Sequence, residues 1–133
     1  MKTTISATRT IYQYLVSKNT KSVTGISGGI YWLIRPKNST KEDIVIVPLV
    51  MNGEELQEGV FNVNIHAPNL PLSNDDTQPD FTRFEAISSK LVPLLSDVWE
   101  ADYNFKIEEP ATPVPDGKNW FCNIRVRYWT IRN

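Results

Sequence analysis

The sequence predicts an α+β fold, with a mainly antiparallel sheet of about five strands packed by two helices in the order α-β-β-β-α-β-β. Two amphipathic segments with helical spacing predict the helices, and short runs of alternating apolar and polar residues predict strands. The 133 residues, 41% hydrophobic and 22% charged, match the size and composition of an ordinary globular domain. We therefore expect a single domain over residues 1–133.

The first half of the chain predicts one helix and three strands. Apolar residues at roughly helical spacing predict the helix over residues 5–16, and a glycine-punctuated stretch then leads into a strand at 30–34. A nearly all-apolar strand follows at 44–51, where Pro48 requires either a sheet edge or a bulge. The alternation over residues 61–66 predicts a third, half-buried strand.

The second half predicts a long loop, the second helix and a hairpin. Residues 67–79 are rich in Pro, Asn and Asp, which predicts an exposed loop. Asp80 is placed to cap a helix whose apolar residues recur at spacings of three and four. The alternating runs 103–108 and 120–128 predict paired strands. The proline-rich stretch 110–118 between them predicts a stiff connection that projects from the sheet.

Charge and cysteine content narrow the classes of function. The 14 Lys and Arg residues balance 15 Asp and Glu residues, so net charge gives no reason to expect nucleic acid or an anionic membrane as a partner. Cys122 is the only cysteine, which excludes an intrachain disulfide. The sequence has no signal-peptide pattern and no apolar run that could span a bilayer. These features indicate a cytoplasmic protein with protein partners.

The residues that could take part in catalysis or bind a metal do not form a catalytic pattern. His66, the only histidine, has the polar parity of its strand, and Cys122 has the apolar parity of its own. Asp75, Asp76 and Asp80 lack the ligand spacing of a calcium loop. The glycines at 25–29 lack the lysine and hydroxyl residues of a phosphate loop. We therefore expect no enzyme activity, cofactor or metal.

Two strands carry the predicted interface with other subunits. An apolar strand at a sheet edge offers backbone groups and side chains to a partner, and Arg beside Trp is typical of interface centres. The alternatives are that the chain's own helix covers the apolar strand and that the arginines pair with Glu108 across the sheet. The candidate interface residues are Ile44, Ile46, Pro48, Val50, Arg125, Arg127 and Trp129.

The loops supply a second set of candidates. Long exposed loops often carry binding residues, although each of these loops could also be exposed without a function. The candidate partner-loop residues are Asn69, Asp75, Asp76, Pro113 and Asp116.

The order of several short motifs resembles one family. The motifs run from Gly29-Ile30-Tyr31 and Arg35-Pro36 through Glu42-Asp43-Ile44-Val45-Ile46, Leu56-Gln57-Glu58-Gly59-Val60 and Asn62-Val63-Asn64-Ile65 to Asn123-Ile124-Arg125. With the helices and the acidic loop between them, they resemble the small tail-completion or tail-terminator proteins of long-tailed bacteriophages and prophages. The likeness covers nearly the whole chain but includes no invariant catalytic signature.

The resemblance implies a subunit that forms a ring, with six copies, at the end of the tail tube. Such a subunit would assemble in the cytoplasm of the bacterial host and remain in the virion tail, with tail tube and head or neck proteins as partners. A ring closes through head-to-tail contacts between two different surfaces of each subunit. The alternative from another class is a small-molecule or peptide-binding module, with a cleft under the second helix walled by Tyr31, Trp32 and Trp99.

Overall fold

The chain begins with a helix that packs along one face of a sheet. A computed structural model of the protein describes residues 2–54 and 56–131. Helix α1 spans Thr4–Ser17, and the Thr3 side chain caps it by accepting a 3.0 Å hydrogen bond from the Ser6 amide. The hydroxyl of Tyr14 donates a 2.7 Å hydrogen bond to the Leu94 carbonyl oxygen, which ties α1 to the other long helix.

A second, short helix was not predicted. Helix α2 spans Thr20–Thr24 between Asn19 and Gly25, which both adopt positive φ angles, of 57° and 71°. Its threonines have weak helix propensity, so the sequence pattern gives no helical signal. The buried Thr20 hydroxyl instead donates a 2.5 Å hydrogen bond to the Leu15 carbonyl oxygen, and this contact anchors the turn to α1.

The third helix agrees with the prediction. Helix α3 spans Phe81–Leu95, and the Asp80 carboxylate accepts a 3.1 Å hydrogen bond from the Arg83 amide as its N-cap. Pro93 lies inside this helix. The helix buries the apolar side chains Phe84, Ile87, Leu91 and Leu95.

The strands form one mixed sheet. They are β1 (Ile30–Trp32), β2 (Asp43–Met51), β3 (Leu56–His66), β4 (Val98–Trp99), β5 (Tyr103–Asp116) and β6 (Asn119–Ile131). Within the described residues the sheet order is β1-β2-β3-β6-β5-β4, so β1 and β4 lie at its two edges. Among the described strand pairs, β1 and β2 are parallel and the other neighbours are antiparallel.

The helices cover one face of the sheet, and the core lies between them. Alternate residues of β3 are buried, as expected of a strand with one packed face. The aromatic core residues contact edge to face, with 5.0 Å between the ring centroids of Tyr14 and Phe105 and 5.8 Å between those of Phe61 and Tyr128. The largest fully buried side chains include Tyr128, Phe61, Phe105, Ile11, Leu15, Ile87 and Leu91.

The fold class is confirmed, while several details differ from the prediction. The described part of the chain has six strands and three helices, where about five strands and two helices were expected. The additional strand β4 has two residues, too few to produce an alternating pattern. The hairpin and the exposed loop at 67–79 are present as predicted.

The proline-rich stretch 110–118 differs most from its prediction. Instead of a projecting connection it continues β5 as far as Asp116, and the turn that follows has only two residues. Gly117 adopts a φ of 63° in this turn, a backbone conformation that favours glycine. Proline is tolerated here because β5 lies at the sheet edge beyond its short pairing with β4, where a missing amide costs no ladder hydrogen bond.

Candidate functional site

Two loop regions of the molecule meet at one end of the sheet. Asn69 donates 2.7 Å hydrogen bonds from Nδ2 to the carbonyl oxygens of Asp76 and Lys118. Lys118 Nζ lies 2.9 Å from Asp76 Oδ2, and Trp120 Nε1 donates a 3.3 Å bond to the Thr77 carbonyl oxygen. We call residues 67–79 and 113–120 the end surface. Its two halves are far apart in sequence and are held together by these contacts.

The acidic residues of the end surface have ordered surroundings. Asp75 accepts hydrogen bonds from the hydroxyl and amide of Thr77, at 2.5 and 2.9 Å, and these bonds lower the pKa of its carboxyl group. The hydrogen bond and charge of Lys118 likewise lower the pKa of Asp76. Both carboxylates are therefore ionised at neutral pH. The predicted partner-loop residues Asn69, Asp75 and Asp76 thus lie together.

Pro113 and Asp116 belong to the other half of this surface. They lie in β5 opposite Cys122 and Asn119 of β6, close to the hairpin tip. Pro110, Pro113 and Pro115 interrupt the row of amides along the outer edge of the strand. Such an edge is a poor template for further strand pairing. The hairpin tip therefore presents side chains more readily than backbone.

A polar cavity of about 550 Å³ separates the end surface from the segment before β2. Its lining includes the basic residues Arg35, Lys41 and Lys118 and the acidic residues Asp76 and Asp116. The opposed charges partly offset one another, so the cavity has no strong preference for an anion or a cation. It is a mixed polar cleft at the rim of the sheet.

His66 lies at the bottom of this cleft. Its ring stacks at a tilt on Phe121, with 5.5 Å between the ring centroids. Burial, followed by the nearby charge of Arg35, lowers the pKa of His66 to about 4. The imidazole is therefore neutral at physiological pH.

Cys122 lies on the packed face of β6. Burial raises the pKa of its thiol to about 11, so the side chain is protonated at neutral pH and packs as a small apolar group. Among residues 2–54 and 56–131, no three His, Cys, Asp or Glu side chains are close enough together to hold a metal ion. No helix in the same residues is long and apolar enough to cross a bilayer.

A buried ion pair shapes the segment that precedes β2. The Asp43 side chain is fully buried and accepts hydrogen bonds from Ser39 Oγ at 2.6 Å, the Gly29 amide at 3.0 Å and Arg35 Nε at 2.9 Å. Burial alone would raise the pKa of this carboxyl group, but these bonds and the Arg35 charge outweigh it and lower the pKa. The pair folds residues 33–42 back against the sheet.

The glycines before β1 have a packing role in this arrangement. A Cβ atom on Gly28 would overlap Asp43 Oδ1 and the Glu42 carbonyl oxygen. The Gly28 amide also donates a 2.8 Å hydrogen bond to that carbonyl oxygen. Glycine at this position therefore allows the backbone to approach the start of β2 closely.

The predicted interface on β2 needs a correction. The side chains of Ile44 and Ile46 are fully buried in the core, so neither is available to a partner. The reason is that β1 pairs with Ile44 to Ile46, which makes this half of β2 an interior strand whose inner side chains contact the helices. Pro48 is half-buried beside a register shift, and the side chain of Val50 lies outside what the structure describes.

The second half of β2 is nevertheless an edge. The described pairing with β1 ends at Trp32 and Ile46, and a further bond joins the Leu33 amide to the Ile46 carbonyl oxygen at 2.8 Å. Leu49 is the extra residue in the bulge and is half-exposed. The sequence predicted either an edge or a bulge at Pro48, and the described pairing contains both.

The arginines of β6 lie on the face of the sheet opposite the helices. Arg127 pairs with Glu58 and, at 3.0 Å, with Glu108, while Arg125 lies 3.5 Å from Glu109. These carboxylates raise the pKa of Arg127 and compensate its charge. The alternative of pairing with Glu108 across the strands is therefore present in the structure.

Trp129 extends this row toward the far end of the sheet. The Lys106 ammonium lies 5.6 Å from its ring centroid, within range of a cation–π contact. Trp129 also lines a cavity of about 360 Å³ together with Leu56, Trp99 and Phe105. The polar members of this lining are Asp97, Asn104 and Lys106.

The aromatic walls predicted for a ligand cleft do not meet. Trp32 lies beside Tyr12, with 6.3 Å between the ring centroids, and Tyr31 belongs to the same edge strand. Trp99 lies in β4 at the opposite edge, and its side chain is 78% exposed. The underside of α3 is packed into the core.

Sequence reasoning missed the exposure of two apolar sites at the sheet edges. Trp99 and Leu56, 78% and 58% exposed, lie on the rim of the 360 Å³ cavity. Leu33 and Ile34, 44% and 78% exposed, follow β1. The available signal was at Trp99, which has the acidic residues Asp97, Glu100 and Asp102 around it, because charged residues are rarely buried.

The comparisons with known proteins identify the fold but no family. No family model and no curated protein matches the sequence. A solved structure matches this fold with a TM-score of 0.58 over 94% of this chain and 94% of that chain, at 13% sequence identity. At 13% sequence identity, the match shows a shared fold and nothing about function. The chain therefore shares its α+β fold with a solved protein of very different sequence.

Proposed function

We propose that the chain is a structural assembly subunit of a phage or prophage tail. In this proposal several copies, six as the resemblance implies, form a closed ring that completes or terminates the tail tube. The partners are further copies of the chain, the tail tube proteins and the head or neck proteins. The motif order described above motivates the family, and the geometry supplies the surfaces that such a subunit needs.

The proposal rests mainly on the end surface, whose two loop regions are joined by hydrogen bonds. A tail-completing ring needs a surface that contacts the next ring along the tail axis. Asn69 and Asp76 of the long loop are joined to Lys118 of the hairpin tip by hydrogen bonds of 2.7 to 2.9 Å. These contacts combine two loop regions into one ordered surface, which favours docking because less conformational entropy is lost on binding.

The charges on this surface suit reversible polar contacts. Asp75 and Asp76 are ionised at neutral pH, and hydrogen bonds lower their pKa values further. Carboxylates at the rim of an interface contribute mainly to partner choice and association rate. We therefore place the contact with a tube or neck protein on residues 67–79 and 113–120.

The sheet edges support ring closure. A ring requires two different lateral surfaces on each subunit. Strands β1 and β4 form opposite edges of the described sheet and carry different residues. A self-complementary pair would instead bury the same surface on both subunits and stop at a dimer.

Electron microscopy of the purified protein at high concentration tests this function. We expect rings of uniform diameter with a central opening. Double substitution of Leu56 and Trp99 by Ser should remove the rings, while Ile5→Ser, an exposed apolar residue on α1, should leave them unchanged. Compact dimers, or irregular aggregates that persist in the double variant, would contradict the proposal.

A further inference from the structure

We infer that the β1 edge of one subunit binds the next subunit, with Leu33 and Ile34 seated in the Trp99 groove. The Trp99 groove is the cavity lined by Leu56, Trp99, Phe105 and Trp129. The inference rests on the proposed ring function and assigns the residues of its lateral contact.

The position of the two sites suits a head-to-tail contact. Leu33 directly follows β1, and Trp99 belongs to β4, so four strands lie between the two sites in the described sheet. One copy therefore presents them in different directions. Each copy keeps one free site after binding a neighbour, which allows the chain of contacts to continue and close.

The side chain of Ile34 and the lining of the Trp99 groove are both largely apolar. Ile34 is 78% exposed and offers a branched aliphatic side chain. The groove has a volume of about 360 Å³, which can accept one or two aliphatic side chains, and its rim is aromatic. Burying Ile34 against Trp99 would remove apolar area from water on both sides, and a large aromatic at the centre is typical of binding hot spots.

The exposed acidic residues beside Trp99 are complementary to the basic residues that follow Ile34, and Lys106, which also lines the groove, faces the Trp129 ring. Trp99 is flanked by Asp97, Glu100 and Asp102, which are exposed and form no ion pair with any described residue. Ile34 is followed by Lys37 and Lys41, which are also exposed. Neither lysine has an ion-pair partner among residues 2–54 and 56–131. Opposite charges of this kind set partner choice and register between surfaces, and like charges would oppose contact of two Trp99 grooves.

The backbone at both sites is held in an uncommon conformation. Leu33 has a φ of 77° and Asp97 a φ of 48°, in the left-handed region that non-glycine residues seldom adopt. At Leu33 the hydrogen bond to Ile46 on one side and the Arg35–Asp43 pair on the other keep the chain in this shape. Backbone strain persists where surrounding contacts impose it, often at binding sites.

Cysteine cross-linking between differently tagged copies tests the inference. One batch carries Pro36→Cys and the other Ala101→Cys, exposed positions two residues after Ile34 and Trp99 that leave both anchoring side chains in place, and a short bismaleimide joins thiols that come together. Cys122 is buried with a raised pKa, and unmodified protein measures its background reaction. The matched control pairs each variant with Ile5→Cys, because Ile5 is 60% exposed but lies on α1.

We expect several-fold more cross-linking between Pro36→Cys and Ala101→Cys than in either control mixture. Cross-linking mainly between two Ala101→Cys copies would overturn the inference, because it indicates a symmetric contact. Yields equal to the Ile5→Cys controls would also overturn it and would leave the groove to a different protein.

The outcome is separable from that of the proposed function. Rings in the electron microscope without the specific cross-link would contradict the edge contact and leave the ring function standing. The specific cross-link without rings would support the edge contact and contradict the closed ring.

Discussion

Arg35 reaches the fully buried carboxylate of Asp43 through Nε, with a donor-to-acceptor distance of 2.9 Å. Arg35 lies near the start of the loop that links β1 to β2, and Asp43 is the first residue of β2. Their contact therefore determines the path of that loop. Arg35 also donates hydrogen bonds to the carbonyl oxygens of Ser39 and Lys41, at 3.3 and 3.0 Å. One guanidinium group therefore holds the segment that carries Ile34.

Removal of this pair should destabilise the fold. We expect Arg35→Ala to lower the free energy of unfolding by about 2–4 kcal/mol, because it leaves the buried Asp43 charge without its partner. The control is Lys118→Ala, which removes the exposed pair with Asp76 and should leave the free energy of unfolding nearly unchanged. Urea denaturation measures both values, and equal losses would contradict the structural role given to Arg35.

Substitution by alanine should destabilise the protein more at Gly28 than at the neighbouring Gly29. Gly28→Ala places a Cβ against the backbone of Glu42 and should cost about 2–3 kcal/mol of stability. Gly29→Ala places its Cβ 2.9 Å from the Tyr31 hydroxyl, which belongs to a side chain that can move, and should cost below about 1 kcal/mol. Thermal or urea unfolding of the two variants provides the comparison. A similar loss in both would show that the close approach at Gly28 does not matter.

Stability should decrease on acidification through the titration of His66. Its pKa is lowered from 6.5 to about 4 in the folded state, so the unfolded chain takes up a proton first as the pH falls. The stabilising contribution is complete above pH 6.5 and is lost progressively between pH 6.5 and 4. Because the ring is partly exposed, we expect a loss of about 1–2 kcal/mol.

The variant His66→Gln supplies the control for this titration. It cannot take up a proton, so its stability should change less over the same pH interval than that of the unmodified protein. Urea denaturation at several pH values between 7 and 4 measures the two slopes. Identical slopes would mean that the imidazole of His66 does not titrate differently on folding.

Reversal of charge should control association of the edges. Lys37→Glu with Lys41→Glu places acidic side chains near Ile34 and should weaken binding to the acidic surroundings of Trp99. Asp97→Lys with Glu100→Lys in the neighbouring copy should restore it. Analytical ultracentrifugation of each double variant alone and of their mixture measures the effect. Equal association in all samples would contradict a charge-guided contact.

The sequence predicted those elements whose pattern arises from local packing. The alternation over 61–66 and 120–128 follows from strands with one packed face, and Asp80 signals a helix start that the structure contains. The long loop at 67–79 followed from its composition, because Pro, Asn and Asp oppose regular structure.

The remaining features depend on contacts distant in sequence. The apolar run around Ile44 and Ile46 suggested an exposed edge, but the strand predicted at 30–34 forms β1 and pairs with it in parallel, which the sequence pattern did not indicate. Prolines in 110–118 suggested a loop, whereas pairing with β6 maintains a strand there. The convergence of Asn69 on Lys118 could not be derived without the strand order.

Molar mass in solution, measured by light scattering across a wide range of protein concentration, tests the ring most directly. The chain has a mass of 15.2 kDa, and the account predicts one discrete multiple of it at high concentration, with six copies as the expected number. The double substitution at Leu56 and Trp99 should return the mass to that of one chain. A mass of 15.2 kDa at every concentration of the unmodified protein would contradict the account.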